Sequence, residues 1–182
     1  LIVNDLVFIS YIKEQSAGCY NTSILVSDFN IDFLDFSEFF SHEQCEYEST
    51  PGITFDHTGG RMVLYKNNKI LLTTGDFGNF SLVQNESYLL GKIISIDLST
   101  SDYEIISTGH RNPQGLYYDN DNDIIISTDH GPQGGDEINI NSDLSNNIIE
   151  NYGWPISSYG EHYDGKFRKE APLHKSHKDY GF

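Results

Sequence analysis

The chain has 182 residues, 37% of them hydrophobic, and carries a formal net charge of −16 at pH 7. A chain this acidic, with no run of Lys or Arg, is repelled by a phosphate backbone, so nucleic acid is not an expected partner. Its apolar runs, such as Ile70–Leu72, fall far short of the roughly 20 residues that cross a bilayer, and no membrane span is expected.

Short apolar runs separated by Gly, Asn, Asp and Ser recur along the chain and predict β-strands. The segment Phe33–Phe40 fits neither the helical nor the strand period, which leaves a strand and a short helix both open. Polar turns at Lys66–Lys69 and Asp119–Asp123 predict antiparallel hairpins. In chain order, the predicted strands are Leu6–Ile12, Ser23–Ser27, Met62–Tyr65, Ile70–Thr74, Lys92–Ile96, Tyr103–Ser107, Leu116–Tyr118 and Ile124–Thr128.

One internal similarity organises the middle of the chain. The stretch that begins at Arg61 lines up with the stretch that begins at Gln114, at an offset of 53 residues, and both contain strand, polar turn, strand and acidic loop. A period near 50 is typical of the four-stranded blade of a β-propeller, although any two hairpins of this length look alike. In a propeller, loops after matching strands converge at one end of the channel, so Asp76 and Asp129 are expected there.

Two cysteines, Cys19 and Cys45, lie far apart in the sequence, unlike a CxxC metal or redox motif. Such a pair forms one disulfide in an oxidising compartment and two buried thiols in a reducing one. The sequence leaves both states open.

Three motifs follow one another in the second half of the chain: GHRNPQGL from Gly109, HGPQGGDEIN from His130 and NYGWP from Asn151. They are preceded by DHTGGR from Asp56 and TGD from Thr74. In this order and spacing the chain resembles the soluble quinoprotein glucose dehydrogenase and aldose sugar dehydrogenase family. The resemblance is close over about residues 50–160 and loose over the first 50.

The resemblance implies an all-β fold, a partial six-bladed β-propeller with about three to four blades of four-stranded antiparallel sheets. Six blades of about 40 to 50 residues need on the order of 300 residues. Residues 1–182 are therefore expected to form a single partial propeller domain, a fragment of a longer chain. The Lys and Arg residues with which the family's later blades hold the cofactor have no counterpart here.

The implied activity belongs to the parent protein. It oxidises the anomeric carbon of aldose sugars to lactones, with hydride transfer to pyrroloquinoline quinone (PQQ) and assistance from Ca²⁺, and passes electrons to a downstream acceptor. The family also implies a periplasmic or secreted location. The sequence does not define the sugar, the electron acceptor or the oligomeric state.

By resemblance, His57 is the general base that takes the proton of the anomeric hydroxyl. An imidazole titrates close to neutrality, which suits this task. Asp76 is expected to orient that imidazole, and Asp56 to lie beside the substrate. Taken without the family, His57 reads as a solvated loop residue and Asp76 as a turn acid.

Arg111 is the best candidate for a cofactor contact, because a guanidinium holds a carboxylate or quinone oxygen in a fork and stabilises developing negative charge. Asn112 is expected to add a neutral donor. The alternative for Arg111 is a surface salt bridge, and for Asn112 a turn residue before Pro113.

The carbonyls of Gly131 and Pro132 are expected to ligate Ca²⁺ by resemblance, since calcium takes oxygen ligands that include backbone carbonyls. A simple Gly-Pro turn is the alternative. Glu137 and Tyr152 are candidates for a second, structural calcium site. A longer interval between them than in well-known members places that site in question.

Two other classes of function stay open at this point. One is a non-catalytic propeller that binds a protein or glycan, and the other is a metal-dependent lactonase, whose site would need several acidic or Asn ligands. Trp154 is interpreted as a packing residue. The remaining histidines are interpreted as structural or solvated: His42, His110, His130, His162, His174 and His177.

Overall fold

The computed structural model describes residues 1–66, 68–146 and 148–160, together with the backbone of 175–176. His162, His174 and His177 lie outside the described residues. Nearly all regular structure is β, apart from a 3-10 turn at Phe80–Leu82. Within the described ranges, no helix is both long and apolar enough to cross a membrane. All eight predicted strands are confirmed.

The first sheet has the order β1-β2-β3-β4, and β5 pairs with the other end of β3. The undecided segment Phe33–Phe40 contributes to a strand, because β4 pairs antiparallel with β3 there. Cys19 and Cys45 form a disulfide, which settles the alternative left open by the sequence and holds β5 against β3. The strands of the first sheet are β1 (Ile2–Val3), β2 (Leu6–Ser16), β3 (Cys19–Asp28), β4 (Ser37–Ser41) and β5 (Glu46–Tyr47).

The second sheet has the order β13-β9-β8-β7-β6. Four of its strands form an antiparallel meander in chain order, and β13 adds to the outer edge of β9 in parallel. Its strands are β6 (Gly59–Tyr65), β7 (Lys69–Thr74), β8 (Lys92–Asp97), β9 (Tyr103–Thr108) and β13 (Glu150–Asn151).

The third sheet is the antiparallel set β10-β11-β12, and a separate parallel pair joins β14 to β15. Among the described residues, these sheets hold five, five and three strands rather than a uniform four. The first two exceed four because β5 and β13 add short segments to them. The remaining strands are β10 (Pro113–Asp119), β11 (Ile124–Asp129), β12 (Glu137–Asn141), β14 (Ser157–Ser158) and β15 (Lys175–Ser176).

The second sheet lies between the other two and shares a core with each. Ile70 and Leu72 of β7 pack with Phe8 and Ile24 of the first sheet. Leu71, which points to the opposite face, packs with Ile125 of the third sheet. Because side chains alternate across a strand, one central strand fills two cores, and each fully buried aliphatic side chain contributes about 1.5–3 kcal/mol.

The internal similarity corresponds to real equivalence between two hairpins. The hairpin β6–β7 and the hairpin β10–β11 begin their respective sheets, and β6 and β10 lie against each other. The second turn is longer, which explains the slip of one residue in the alignment. Asp76 follows β7 and Asp129 ends β11, so the two acids lie at the same end of neighbouring sheets, as predicted.

Candidate active site

His57 and Asp76 are brought together at one end of the second sheet. His57 precedes β6 and Asp76 follows β7, and antiparallel pairing places both loops at the same end. Nδ1 of His57 lies 3.0 Å from Oδ1 of Asp76. The Asp76 side chain is 1% exposed and that of His57 is 19% exposed. No hydrogen bond within the described ranges uses Nε2 of His57, so this nitrogen is available to a substrate hydroxyl.

The two loops are packed backbone to backbone. The N–H of Phe77 donates to the carbonyl oxygen of His57 at 3.1 Å. A Cβ atom on Gly75 would collide with that same carbonyl group. Glycine is therefore required at position 75 by the close approach of the His57 loop rather than by its backbone conformation.

The Asp76 carboxylate accepts three hydrogen bonds. Oδ1 accepts from the backbone N–H of Gly78 at 2.7 Å in addition to the His57 ring. Oδ2 accepts from the indole Nε1–H of Trp154 at 2.9 Å. Because a carboxylate oxygen accepts hydrogen bonds, the contact with Oδ1 of Asp76 suits the tautomer of His57 that carries its proton on Nδ1.

Trp154 is a site residue that the sequence interpretation missed. It is 3% exposed and packs on Phe80, as a packing residue should. Its indole N–H also reaches Asp76, and its ring lies 5.6 Å from the guanidinium carbon of Arg111. A lone Trp in a motif that otherwise carries candidate site residues is the signal that points to it.

Arg111 is buried next to this group, with 6% of its surface exposed. Its Nη1 donates to the carbonyl oxygens of His130 at 2.7 Å and Gly131 at 3.0 Å. Its own carbonyl accepts the backbone N–H of Asp76 at 2.8 Å, which ties Arg111 to the acid-base pair. Its Nε is buried and has no partner within the described residues. A buried cation with an unpaired donor suits an anionic group, and so fits the predicted quinone cofactor.

Asn112 is directed at the loop that carries His57 and Asp56. Its Oδ1 accepts the N–H of Gly59 at 3.2 Å, and its Nδ2 donates to the carbonyl of Asp56 at 3.3 Å. The amide therefore holds the loop, and its role as a cofactor donor stays a prediction. The Asp56 carboxylate is exposed, and its Oδ2 accepts the hydroxyl of Thr54 at 2.9 Å, so Oδ1 is the oxygen that faces solvent or substrate.

A second His–Asp pair supports the Arg111 segment. Nδ1 of His110 lies 3.2 Å from Oδ2 of Asp129, and its Nε2 lies 2.8 Å from Oγ of Ser107. The same Asp129 carboxylate accepts the backbone N–H groups of Arg111 and Asn112 at 3.0 and 2.7 Å. All members of this group are buried. His110 is therefore structural, as predicted, and Asp129 holds the two candidate cofactor residues in place.

The predicted calcium carbonyls are already engaged. The oxygen of Gly131 accepts from Arg111, and that of Pro132 accepts the N–H of Gly135 at 2.7 Å. A guanidinium on one of two carbonyl ligands opposes a divalent cation by Coulomb repulsion. Among the described residues, no group of three or more His, Cys, Asp or Glu is placed to hold a metal ion. The Gly131–Pro132 arrangement as it stands does not fit a calcium ion held by the protein alone.

Glu137 and Tyr152 both lie near His110. Burial, together with the carboxylate of Asp129, raises the pKa of Glu137 to about 7. The Tyr152 ring is tilted against the His110 ring at 5.0 Å, and burial raises the pKa of its hydroxyl to about 12. Their part in a second calcium site stays a prediction.

Comparison with known proteins gives this arrangement a context. A family profile described as Glucose / Sorbosone dehydrogenase matches residues 3–180. The Aldose sugar dehydrogenase YliI of Escherichia coli is 27% identical over 87% of this chain and 44% of its own length. Quinoprotein glucose dehydrogenase B of Acinetobacter calcoaceticus is 28% identical over 68% of this chain and 31% of its own.

Solved structures agree with these sequence relatives. The soluble aldose sugar dehydrogenase of Escherichia coli, in its apo-form, superposes with a TM-score of 0.72 at 25% identity, covering 94% of this chain and 50% of that one. A PQQ-bound aldose sugar dehydrogenase of Streptomyces coelicolor gives a TM-score of 0.62 at 20% identity, over 84% of this chain and 44% of its own, and shows likeness of fold alone. The chain spans about half the length, or less, of these relatives.

Proposed function

The chain belongs to the Glucose / Sorbosone dehydrogenase family, and from this premise we propose that the whole protein oxidises the anomeric carbon of aldose sugars to lactones. The observation that carries the proposal is the His57–Asp76 pair, with Nδ1 bonded and Nε2 available, next to the buried Arg111 guanidinium. Pyrroloquinoline quinone, when bound, would supply the acceptor for the two electrons and the hydrogen that leave the anomeric carbon.

His57 performs the proton transfer in this scheme. Its Nε2 takes the proton of the anomeric hydroxyl while the C–H bond of the same carbon breaks with loss of hydride, and the C=O bond of the lactone forms. Asp76 holds Nδ1–H throughout and stabilises the imidazolium that results. Asp56, exposed next to His57 in the chain, would accept a hydrogen bond from a sugar hydroxyl.

Arg111 is the residue that would hold the quinone. The guanidinium is buried and fixed by two backbone carbonyls, so it loses little freedom when it meets an anionic group. Its Nε, which has no partner in the described part of the chain, is the donor that remains to be satisfied. A fixed cation at this position favours the build-up of negative charge during the reaction.

The larger architecture is part of the same proposal. We infer a six-bladed propeller for the whole protein, supported by three sheets that pack in chain order and by structures about twice as long as this chain. An aldose, PQQ and a downstream electron acceptor would be its partners. The Cys19–Cys45 disulfide supports a periplasmic or secreted location, because disulfides persist in oxidising compartments.

The test is an aldose-dependent dye-reduction assay on the full-length protein that contains this chain, reconstituted with PQQ with and without added Ca²⁺. We expect turnover that disappears in His57→Ala and falls strongly in Asp76→Asn. Turnover equal to that of His57→Ala in the unaltered protein would overturn the proposal. Binding of PQQ, measured by its absorbance with Arg111→Gln as the matched variant, separates a non-catalytic binding module from an enzyme.

A further inference from the structure

Trp154 contacts both halves of the candidate site. Its indole Nε1–H donates to Oδ2 of Asp76, and the face of its ring lies against the guanidinium of Arg111. The residue is itself anchored, since its N–H donates to the carbonyl of Gly109 at 3.0 Å and its carbonyl accepts Nε2 of Gln84 at 2.6 Å. Ring and backbone are therefore both held at this position.

We propose that Trp154 is a positioning residue that sets the protonation state and orientation of the His57–Asp76 pair. The inference rests on the proposed function for its catalytic meaning, but the hydrogen-bond chain that carries it stands on the geometry alone. Trp154, Asp76 and His57 form one continuous chain, in which the carboxylate receives the indole N–H on one oxygen and the imidazole N–H on the other.

The carboxylate cannot rotate without losing a buried partner. Oδ1 is shared by His57 and the N–H of Gly78, and Oδ2 belongs to Trp154. If the indole donor is removed, a buried carboxylate oxygen loses its bond, and the group gains freedom to turn or to take up a proton. Either change weakens the constraint that places the proton of His57 on Nδ1 and leaves Nε2 bare.

The same indole ties this pair to the anion-binding side of the site. A cation over the face of a Trp ring is attracted by the ring quadrupole, and the attraction grows when both groups are withdrawn from water. Trp154 and Arg111 are 3% and 6% exposed. Displacement of the ring by a bound anion at Arg111 is therefore expected to be felt at Asp76, and through it at His57.

The hydrogen bonds that join Trp154, Asp76 and His57 can be followed by NMR, because the sequence contains a single Trp. Indole-¹⁵N labelling of the 182-residue chain gives one Nε1–H signal, which belongs to Trp154. We expect this signal to move with pH along the same curve as the ring signals of His57, since both groups bond to one carboxylate. His57→Gln should abolish that pH dependence, and Asp76→Asn should move the signal to higher field.

Two further substitutions separate the effect of the indole hydrogen bond from the effect of ring packing. Phe80→Leu alters the packing of the same ring, at 6.4 Å between centroids, without touching the hydrogen bond, and should leave the common titration in place. Replacement of the single Trp by 3-benzothienylalanine keeps ring size and removes the N–H, so folding is preserved while the donor is lost. In that protein, the His57 midpoint should shift; an unchanged midpoint, or an Nε1–H signal that ignores His57 in the unaltered chain, overturns the proposal.

Activity then distinguishes this inference from the proposed function. In the full-length protein, Trp154→Phe should lower kcat by between about tenfold and a hundredfold with little change in KM for the sugar, as expected for lost positioning. A common titration in a protein without aldose oxidation leaves the positioning role intact and removes the proposed reaction. Full activity in Trp154→Phe, together with separate titrations, removes the positioning role and leaves the reaction.

Discussion

His57 and His110 occupy equivalent positions in two neighbouring sheets. Each bonds through Nδ1 to an aspartate 19 residues later, at 3.0 Å for Asp76 and 3.2 Å for Asp129. They differ in what surrounds the other ring nitrogen. Nε2 of His110 is closed off by Ser107, whereas that of His57 has no partner among the described residues. The same position in the fold therefore holds a structural histidine, His110, in one sheet and a candidate catalytic base, His57, in the other.

The two histidines should therefore respond differently to the same substitution. We expect His110→Ala to lower the free energy of unfolding by about 2 to 4 kcal/mol, because it leaves the buried Asp129 carboxylate and Ser107 hydroxyl short of a partner. His57→Ala should cost less, about 1 kcal/mol, because its ring is partly exposed and only the Asp76 carboxylate loses a partner, yet it should abolish turnover. Urea unfolding of both variants, beside the dye assay, checks this. Equal losses of stability would contradict the assignment of a structural role to His110 and a candidate catalytic role to His57.

We predict that the absence of a side chain at Gly75 is what allows the His57 loop to take its position. Gly75→Ala forces its Cβ into the His57 carbonyl, so the loop must move and turnover should fall by about a hundredfold or more. Gly134→Ala is the matched control, because a Cβ there meets no atom within 4 Å and suffers only from its φ of +73°. We expect Gly134→Ala to keep the His57 ring signals of the unaltered chain and Gly75→Ala to shift them. If the His57 ring signals are the same in both variants, the steric role of Gly75 is contradicted.

Lys92 should make the stability of the chain depend on pH in the alkaline range. It is fully buried, its Nζ donates to the carbonyls of Val83 and Leu90, and burial lowers its pKa to about 8 from 10.5. The unfolded chain therefore binds more protons than the folded one between pH 8 and 10.5, so the free energy of unfolding should rise with pH in that window.

The expected rise attributable to Lys92 is about 2 to 3 kcal/mol between pH 8 and 10.5. It is measured as the difference between urea unfolding of the natural chain and of Lys92→Met over this range. The Met variant removes the titrating group while keeping the length of the side chain. A difference that stays flat with pH would show that the ammonium is not withdrawn from water in the folded state.

Calcium should bind poorly at Gly131–Pro132 as long as Arg111 occupies the Gly131 carbonyl. Calorimetric titration of Ca²⁺ into the chain without quinone is expected to show weak binding at this position. Arg111→Gln removes the opposing charge and should tighten it by about tenfold or more. Glu137→Gln, in parallel, identifies any heat from a second site near Tyr152. Tight binding to the natural chain that Arg111→Gln does not improve would refute the competition.

The amino-acid sequence by itself determined the strands and the order of the site motifs. Short apolar runs bounded by turn residues, such as Ile70–Thr74, favour strands, and the polar residues of Asp119–Asp123 favour a turn, so these elements follow from local physical chemistry. The offset between Arg61 and Gln114 likewise marks two hairpins that the structure makes equivalent.

Only the tertiary structure decided which atoms these residues bind through hydrogen bonds. Trp154 donates a hydrogen bond to Asp76, which lies 78 positions away in the sequence. Nη1 of Arg111 donates to the carbonyl of Gly131, which the family resemblance had assigned to calcium. Asn112 likewise turns its amide to the loop of His57. A hydrogen bond depends on direction over about 3 Å, whereas a motif records only the kind of side chain and its place in the chain. The packing of three sheets supplies the direction that the motifs lack.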